Sequence, residues 1–264
     1  MCPNRLATDR DAATALRAAG IDNPVREVRL LRAHAPDPAR FAALLARRVA
    51  HEPMAFLLGS QGFWTLDLEV SRATLIPRPD SETLIEAAMA ALPDKALVHR
   101  ILDLGTGTGC LLLAALVEFP GAFGIGIDMV ADAARLAARN AVANGLAGRA
   151  AFLCGDWAGA IAGTFDLILA NPPYIETIDI AGLMPDVALF EPASALDGGA
   201  DGLDAYRRII PMLPSLLTPY GVAVLELGQG QAADIADLAL AAGFTTTTRD
   251  DFGGIARAAV LRRA

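Results

Sequence analysis

Short apolar runs alternate with helical segments from residue 100 onward, and this alternation limits the possible folds more than any other feature. Five runs have the composition of strands that are buried on both faces: Ile101–Leu104, Phe123–Ile127, Ala150–Cys154, Phe165–Ala170 and Val222–Leu227. Four segments between or after them have helical periodicity: Gly109–Phe119, Ala131–Asn144, Leu203–Leu217 and Ala232–Ala242. Because parallel strands need helical crossovers, the pattern predicts an α/β, doubly wound and largely parallel sheet.

The last part of the chain departs from this alternation. Two runs rich in β-formers, Thr245–Thr248 and Ala256–Leu261, follow each other without an intervening helix. Antiparallel strands need only a short connection, so these runs predict a hairpin at one edge of the sheet. We therefore expect seven strands in the sheet.

The N-terminal part of the chain predicts helices instead of strands. A first helical segment ends at Gly20, a second spans Pro24–Ala35, and a third opens with Asp37 as N-cap and Pro38 as its first residue. Gly62–Val70 is then rich in strand formers and predicts a β-hairpin. The chain is thus predicted to consist of a helical domain at 1–58, a hairpin linker at 59–78 and the α/β domain at 79–264.

Composition and charge argue against several kinds of protein. The 264 residues carry a net charge of −8, whereas a protein whose main partner is bare nucleic acid usually presents a basic surface. The longest apolar run, Cys110–Val117, is far too short to span a membrane. No spacing of histidines or cysteines indicates a metal site. We expect a cytoplasmic protein with reduced thiols, of which Cys110 and Cys154 are buried, and without metal, membrane or direct nucleic-acid substrate.

A glycine-rich loop follows the first predicted strand and opens the next helix. Glycines let the backbone approach a ligand closely and take positive φ values. The Gly-x-Gly-x-Gly spacing differs from the Gly-x-Gly-x-x-Gly of dinucleotide enzymes. Together with Asp103, two residues before the first glycine, it resembles the first motif of S-adenosylmethionine-dependent methyltransferases. The predicted cofactor-binding residues of this loop are Gly105, Thr106, Gly107, Thr108 and Gly109.

Two further carboxylates stand at the ends of predicted strands. Asp128 lies 19 residues beyond Gly109, where a carboxylate can accept hydrogen bonds from both ribose hydroxyls of the cofactor. Its alternative role is to cap the helix that begins near Ala131. Asp156 is predicted to bind the adenine amino group and Trp157 to wall the adenine, although core packing explains Trp157 equally well.

The segment Asn171-Pro172-Pro173-Tyr174 follows the buried run Phe165–Ala170, at the end of the sheet where doubly wound proteins bind ligands. The methyl group of a sulfonium is already activated, so the protein must mainly hold a nucleophile in line. The Asn171 side-chain oxygen and the Pro172 carbonyl can accept hydrogen bonds from a planar –NH2 group, and Tyr174 can cover its flat face. The consecutive prolines fix φ and aim those carbonyls. The segment therefore predicts methyl transfer to an –NH2 group.

We predict Asn171, Pro172 and Tyr174 as catalytic residues, with Pro173 joining them in substrate binding and Asn171 also contacting the cofactor. The alternative is a rigid Asn-Pro turn that only ends a strand. The motif alone does not distinguish a glutamine side chain from the exocyclic amine of adenine or cytosine, because both are planar and present the same donors.

Together these motifs resemble those of the release-factor glutamine methyltransferases, over almost the whole chain. The resemblance rests on five segments: Leu75–Glu82 with its Pro-Arg-Pro core, Asp103–Gly109, Asp156–Trp157, Asn171–Tyr174 and Phe190–Pro192. It implies a seven-stranded, Rossmann-like class I methyltransferase domain, preceded by a helical domain for substrate docking and a β-hairpin linker. It also implies S-adenosylmethionine as cofactor and methyl transfer to the glutamine of the Gly-Gly-Gln motif in class 1 peptide-chain release factors.

The resemblance also implies roles for individual residues. The glycine loop, Asp128, Trp157 and Asn171 correspond to binding residues of the family, and Phe63 is expected to wall the glutamine pocket unless it forms the core of the hairpin. The chain departs from the family at residues 51–56, where His-Glu-Pro-Met-Ala-Phe replaces Arg-x-Pro-x-x-Tyr. We therefore transfer no contact of that arginine or tyrosine to this chain.

Three other functions stay open. A glutamine methyltransferase of a ribosomal protein shares the chemistry and differs only in its docking surface. A nucleic-acid amino-methyltransferase needs a base-flipping pocket and a basic groove, and the net charge argues against it. The intact Asn171 and Tyr174 argue against a silent cofactor-binding scaffold. We expect a monomer whose partner is a release factor.

Overall fold

Nine strands form among the residues that the structure, a computed structural model, describes: 8–159 and 161–264. They are β1 (Ser60–Phe63), β2 (Leu66–Glu69), β3 (Arg100–Leu104), β4 (Phe123–Asp128), β5 (Ala150–Cys154), β6 (Phe165–Ala170), β7 (Leu217–Glu226), β8 (Phe244–Asp250) and β9 (Ala256–Arg263). The five apolar runs of the sequence correspond to β3 through β7, and the two runs at the end of the chain correspond to β8 and β9.

Seven of these strands make one sheet in the order β5-β4-β3-β6-β7-β9-β8, and β1 pairs with β2 in a separate hairpin. Neighbouring strands from β5 across to β7 are parallel, whereas β9 runs antiparallel to both β7 and β8. The predicted doubly wound sheet with an antiparallel edge is therefore confirmed.

Eleven α-helices accompany the strands in the described ranges. They are α1 (Asp9–Ala18), α2 (Pro24–His34), α3 (Pro38–Val49), α4 (Met54–Leu58), α5 (Glu82–Ala91), α6 (Cys110–Glu118), α7 (Ala131–Ala143), α8 (Pro185–Ala188), α9 (Asp204–Ile209), α10 (Leu213–Leu216) and α11 (Ala232–Ala241). Successive residues of β6 face opposite sides of the sheet, so Leu167 and Leu169 join a core with α5 and α6, and Ile168 and Ala170 join one with α9 and α11.

One predicted helix, at 203–217, is not continuous. It divides into α9, a 3-10 turn at Ile210–Met212 and α10. Pro211 and Pro214 explain the break, because a proline has no N–H to donate and its ring clashes with the preceding helical turn. The following strand, β7, consequently begins earlier than predicted, at Leu217.

The chain divides into two units by its internal contacts. One comprises Met1–Ser60, described from residue 8 onward, together with Leu183–Phe190, and the other comprises Gln61–Gly182 and Glu191–Ala264. Asp37 caps α3 in the first unit, accepting a hydrogen bond from the Arg40 N–H at 2.8 Å, as predicted. The functional boundaries near residues 58 and 78 stay predictions.

Arg48 ties the first unit together from its interior. Its side chain is almost fully buried, and it reaches Glu27 at 2.7 Å and Asp186 at 2.9 Å. His51 Nδ1 lies 3.0 Å from the same Asp186 carboxylate. A buried guanidinium is tolerated only with such partners, so these contacts join α8 to helices that precede it by more than a hundred residues.

The cysteines differ partly from expectation. Cys110 is half-buried, whereas Cys154 is exposed because it ends β5, the edge strand of the sheet. The expectation that Cys154 is buried is therefore wrong. Cys2 lies outside the described residues.

Crossing a membrane would take a longer and more apolar helix than any found in residues 8–159 and 161–264.

Asn140 of α7 joins the hairpin to the glycine loop. Its Oδ1 accepts the Glu69 N–H at 2.8 Å, and its Nδ2 donates to the Glu69 and Thr108 carbonyls at 3.0 and 2.9 Å. The side chain is fully buried, and so is its bond to the Thr108 carbonyl, whereas the two bonds to Glu69 are part-buried.

We expect Asn140→Ala to lower the free energy of unfolding by about 2–4 kcal/mol, because it leaves buried backbone groups without partners. Asn144→Ala, at the C-cap of the same helix, is the matched control. It removes an exposed bond from Nδ2 to the Asp67 carbonyl and a part-buried one to the Asn140 carbonyl, and it should cost only about 1 kcal/mol. Chemical denaturation measures both. Equal losses of unfolding free energy in the two variants would contradict the role given to the Asn140 hydrogen bonds.

Candidate active site

A cavity of about 420 Å³ opens where the parallel strands end. It is in the size range of small-molecule sites, and doubly wound sheets bind ligands at this edge. Each of the four strands from β5 across to β6 contributes to its lining through the loop that follows it. The predicted site residues that line it are Gly105, Gly107, Asp128, Asp156, Trp157, Asn171 and Pro173.

The glycine loop turns sharply beneath this cavity. Gly105, Gly107 and Gly109 have φ values of 75°, 54° and 84°, a region that strongly favours glycine. A Cβ on Gly105 would stand 3.5 Å from the Trp157 ring, so the bare backbone keeps this side of the cavity open. A Cβ on Gly109 would instead meet Ala137 of α7 at 3.1 Å, away from the cavity.

The two threonines of the loop do not line the cavity. Both are buried, and Thr106 Oγ1 donates to Asp103 Oδ2 at 2.6 Å. Burial raises the pKa of Asp103 to about 7, and the nearby Asp128 carboxylate acts in the same direction, while the bond from Thr106 opposes them. Asp103 thus braces the loop from below as a buried acid.

Asp128 bridges the loop and the start of α7. Its Oδ2 accepts the Gly107 N–H at 2.9 Å and its Oδ1 accepts the Val130 N–H at 2.9 Å. Burial raises the pKa of this half-buried carboxyl. Val130, not Asp128, is the N-cap residue of α7. The carboxylate therefore satisfies a backbone group near the helix and still faces the cavity.

Asp156 and Trp157 lie together on the opposite rim. Asp156 pairs with Arg208 at 2.5 Å, and both side chains are exposed. Arg208 also lines the cavity, although no sequence motif pointed to it. Trp157 has a φ of 47° and packs its ring partly against the core, so the cofactor and core interpretations of this residue are compatible.

Asn171 stands at the carboxyl end of β6. Its Nδ2 donates to Ser81 Oγ at 3.2 Å, and Pro173 beside it also lines the cavity. Pro172 is buried behind them. Tyr174 turns inward and donates its hydroxyl proton to Glu226 Oε1 at 3.2 Å. Burial, with the Glu226 charge, raises the pKa of Tyr174 far above its ordinary value.

The Pro-Arg-Pro segment, within Leu75–Glu82, and the Phe-Glu-Pro segment, Phe190–Pro192, are in contact next to this site. Arg78 Nη2 contacts Glu191 Oε1 at 2.5 Å, and the same carboxylate accepts the Ile76 N–H at 3.4 Å. Glu191 is buried, so a charge-assisted bond holds the Pro-Arg-Pro segment to the Phe-Glu-Pro segment. Their proximity was not evident from the sequence.

Phe63 is placed elsewhere. Its side chain is 2% exposed and packs in the core with Leu66, Leu68 and α5, because alternate residues of the hairpin face the sheet. It does not line the cavity, which supports the alternative that it is hairpin core. The prediction that it walls a substrate pocket finds no support in this position.

Sequence reasoning gave no site role to Ser81, although it lies in the Leu75–Glu82 segment, and it missed Glu226. Both are buried polar residues beneath Asn171, and Ser81 Oγ donates to Glu226 Oε2 at 2.5 Å. Glu226 ends the apolar strand β7, and a carboxylate in that position was the one local signal. That carboxylate can be connected with Asn171 only once β7 is known to pair with β6, with Leu225 opposite Ala170.

Comparison with known proteins gives the family. Residues 81–194 match the family described as Methyltransferase small domain. Release factor glutamine methyltransferase from Rhodospirillum rubrum is 48% identical over 94% of this chain and 82% of its own length. The protein of the same name from Cereibacter sphaeroides is 44% identical over 89% of both chains. The chain belongs to the release factor glutamine methyltransferase family.

Solved structures agree with the fold of this family. Ribosomal protein L11 methylase from Lactobacillus delbrueckii subsp. bulgaricus superposes with a TM-score of 0.53 at 20% identity, covering 71% of this chain and 81% of that one. The T. thermophilus 16S rRNA N2 G1207 methyltransferase has a TM-score of 0.53 at 20% identity, covering 78% and 50%. The sheet is therefore the seven-stranded, Rossmann-like sheet of class I methyltransferases, as predicted.

The buried Asp103 predicts how stability depends on pH. The folded protein keeps a proton on Asp103 up to about pH 7, whereas the unfolded chain releases it near pH 3.8. The unfolded state therefore binds fewer protons between these values, and the free energy of unfolding falls as pH rises through that window.

We expect Asp103→Asn to remove roughly 2–4 kcal/mol of this fall between pH 4 and pH 8, because an amide has no charge to bury. Denaturant titration of the variant and the parent at both pH values measures it. Asp132→Asn, at an exposed position on α7, is the control and should leave the pH dependence unchanged. If the free energy of unfolding of Asp103→Asn fell with pH as steeply as that of the parent, Asp103 would not be the group responsible.

Proposed function

We propose that this protein methylates the side-chain amide nitrogen of the glutamine in the Gly-Gly-Gln motif of class 1 peptide-chain release factors, with S-adenosylmethionine as methyl donor. The observation that carries the proposal is that Asn171 and Pro173 line the same cavity as Gly105, Gly107 and Asp128. The Asn171 side chain, which can accept an amide N–H, and the glycine loop proposed to hold the cofactor thus line the same cavity. The name shared by the family's curated members supports glutamine as the substrate.

The residues of the cavity fit the cofactor. Gly105 and Gly107 leave their backbone bare toward the cavity, and the half-buried Asp128 carboxylate would accept the ribose hydroxyls with the lone pairs that its backbone bonds leave. Trp157 would lie against the adenine and Asp156 would accept its amino group. S-adenosylmethionine, when bound, supplies a methyl group activated by the positive sulfonium.

The chain's own residues then have to hold the nucleophile. The Asn171 Oδ1 and the Pro172 carbonyl would each accept one N–H of the glutamine amide, which aims the nitrogen at the methyl group. Pro172 and Pro173 restrict the backbone so that this aim is kept. Tyr174 is not among the residues that line the cavity, and its hydroxyl donates to Glu226 instead. The nitrogen would accept the methyl group as the donor leaves as a neutral thioether, and one proton of the nitrogen would pass to solvent. No strong general base is required.

The helical segment 1–58 serves in this proposal as the docking domain for the release factor, and 59–78 links it to the methyltransferase domain at 79–264. The net charge of −8 suits a protein substrate better than bare nucleic acid. We propose a monomer that acts in the cytoplasm, where release factors work.

Transfer of labelled methyl groups tests the function directly. The purified protein, labelled S-adenosylmethionine and a class 1 release factor should place label on the Gly-Gly-Gln glutamine, as located by peptide mass spectrometry. A release factor with that glutamine changed to alanine is the matched control and should stay unlabelled. Label on DNA or on a ribosomal protein instead of the release factor would overturn the proposal.

Two single variants separate the proposed roles of cofactor and acceptor residues. Asn171→Ala should lower kcat by about 100- to 1,000-fold with little change in cofactor Kd, because it removes an acceptor that positions the nucleophile. Asp128→Ala should raise cofactor Kd by about 10- to 100-fold, because charge-assisted bonds to the ribose are lost. Calorimetry and single-turnover kinetics distinguish the two effects. Normal turnover by Asn171→Ala would contradict the mechanism.

A further inference from the structure

A buried polar network lies directly beneath Asn171. Glu226 ends β7 next to the strand that carries Asn171, and its side chain is 2% exposed. Its Oε2 accepts the Ser81 hydroxyl at 2.5 Å, and its Oε1 accepts the Tyr174 hydroxyl at 3.2 Å. Ser81 Oγ lies 3.2 Å from Asn171 Nδ2. Ser81, Glu226 and the Asn171–Tyr174 segment come from three separate parts of the sequence.

The number of protons in the network fixes its direction. A serine hydroxyl has one proton to donate, and Ser81 gives it to the Glu226 carboxylate. Toward Asn171 the hydroxyl can therefore act only as an acceptor. It accepts from an N–H, so the amide group of Asn171 turns its Nδ2 toward Ser81. Its Oδ1 is then directed away from Ser81.

We propose that Glu226, acting through Ser81, sets the rotamer of the Asn171 amide so that Oδ1 is presented to the –NH2 group of the substrate. Glu226 and Ser81 are positioning residues, because neither lines the cavity. The inference rests on the proposed function, in which Asn171 Oδ1 receives the glutamine amide. An amide turned by 180° would present two donors to a group that also donates, which removes the attraction.

Protonation of Glu226 would remove this control. A neutral carboxyl carries a proton of its own, and it can donate to Ser81, which is then able to donate to Asn171 Oδ1. Burial raises the pKa of Glu226 to about 7, and the bonds from Ser81 and Tyr174 oppose that rise. The charged and titratable groups that also face it are Arg257, which favours its ionised form, Asp80, which disfavours it, the Tyr206 hydroxyl on its backbone carbonyl, and the Cys110 thiol, whose pKa the Glu226 charge helps to raise. Turnover is therefore expected to fall as pH drops through about 7.

Variants of Ser81 test whether its hydroxyl holds the Asn171 amide in one orientation. Ser81→Ala removes the hydroxyl and should lower kcat by about 10- to 100-fold, because the amide of Asn171 is no longer held in one orientation. Ser81→Thr keeps the hydroxyl and should restore most of the turnover. Cofactor Kd, measured by calorimetry, should be the same in both variants and the parent. Parental kcat in Ser81→Ala would overturn the proposal.

Glu226→Gln tests the charge. Glutamine has the same shape and stays neutral, so its kcat should be low at every pH and lack the acid limb of the parent. Tyr206→Phe is the matched structural control: it removes a buried bond to the Glu226 backbone carbonyl, 2.6 Å long, without touching the carboxylate. It should lose stability and keep the parental kcat and pH profile. A Glu226→Gln profile with the parental acid limb would refute the inference.

A substrate-free measurement separates this inference from the proposed function. The Asn171 side-chain NH2 signal in a ¹⁵N spectrum, assigned by its loss in Asn171→Ala, should exchange with solvent at least tenfold faster in Ser81→Ala than in the parent, because its bond to Ser81 is lost. Equal exchange overturns the inference even if release factors are methylated. Slow exchange in the parent without methylation of any release factor overturns the proposed function alone.

Discussion

The parallel pairing of β3 with β4 on one side and β6 on the other organises the whole site. Leu104 lies opposite Ile127 in one register and opposite Ala170 in the other, so three strands end at the same level. The glycine loop and Asn171 follow directly after β3 and β6, and Asp128 is the last residue of β4. Residues that are distant in sequence therefore share one cavity because backbone hydrogen bonds align the strands that carry them.

The cavity is supported by acids that the apolar core would otherwise exclude. Asp103 under the glycine loop and Glu226 under Asn171 are both buried, and burial raises the pKa of each to about 7. Each carboxylate accepts a hydrogen bond from a neighbouring hydroxyl: Asp103 from Thr106, and Glu226 from Ser81. Burying a charge is costly unless it is hydrogen-bonded, so both acids hold the loops above them at the expense of some stability.

Ion pairs between distant segments complete each unit. In the methyltransferase unit Arg78 binds Glu191 and thereby joins the chain before the sheet to the chain after Asn171. In the helical unit Arg48 binds Asp186, which brings α8 to helices formed much earlier. The segment after Asn171 therefore contributes to both units. An arginine suits both positions, because its fixed donors match carboxylates better than the single charge of a lysine.

The sequence by itself determined the fold class and the reaction. Strand–helix alternation, the glycine spacing and Asn171–Tyr174 are patterns of neighbouring residues, and local conformation depends on neighbours. Even so, the predicted helix at 203–217 is broken at Pro211 and Pro214, because the apolar periodicity of the segment does not register a missing N–H. Where β7 begins depends on its pairing with β6, which no local pattern reveals. For Phe63, likewise, the neighbouring residues did not distinguish a place in the wall of the substrate pocket from one in the core of the hairpin.

Only the tertiary structure decided what supports Asn171. Ser81 and Glu226 lie 90 and 55 residues from it in the chain, and no periodicity relates positions so far apart. Their bonds arise because β7 pairs with β6 and α5 packs against β7. A hydrogen bond depends on distance and angle in space, so the direction of the Asn171 amide is a property of the folded sheet.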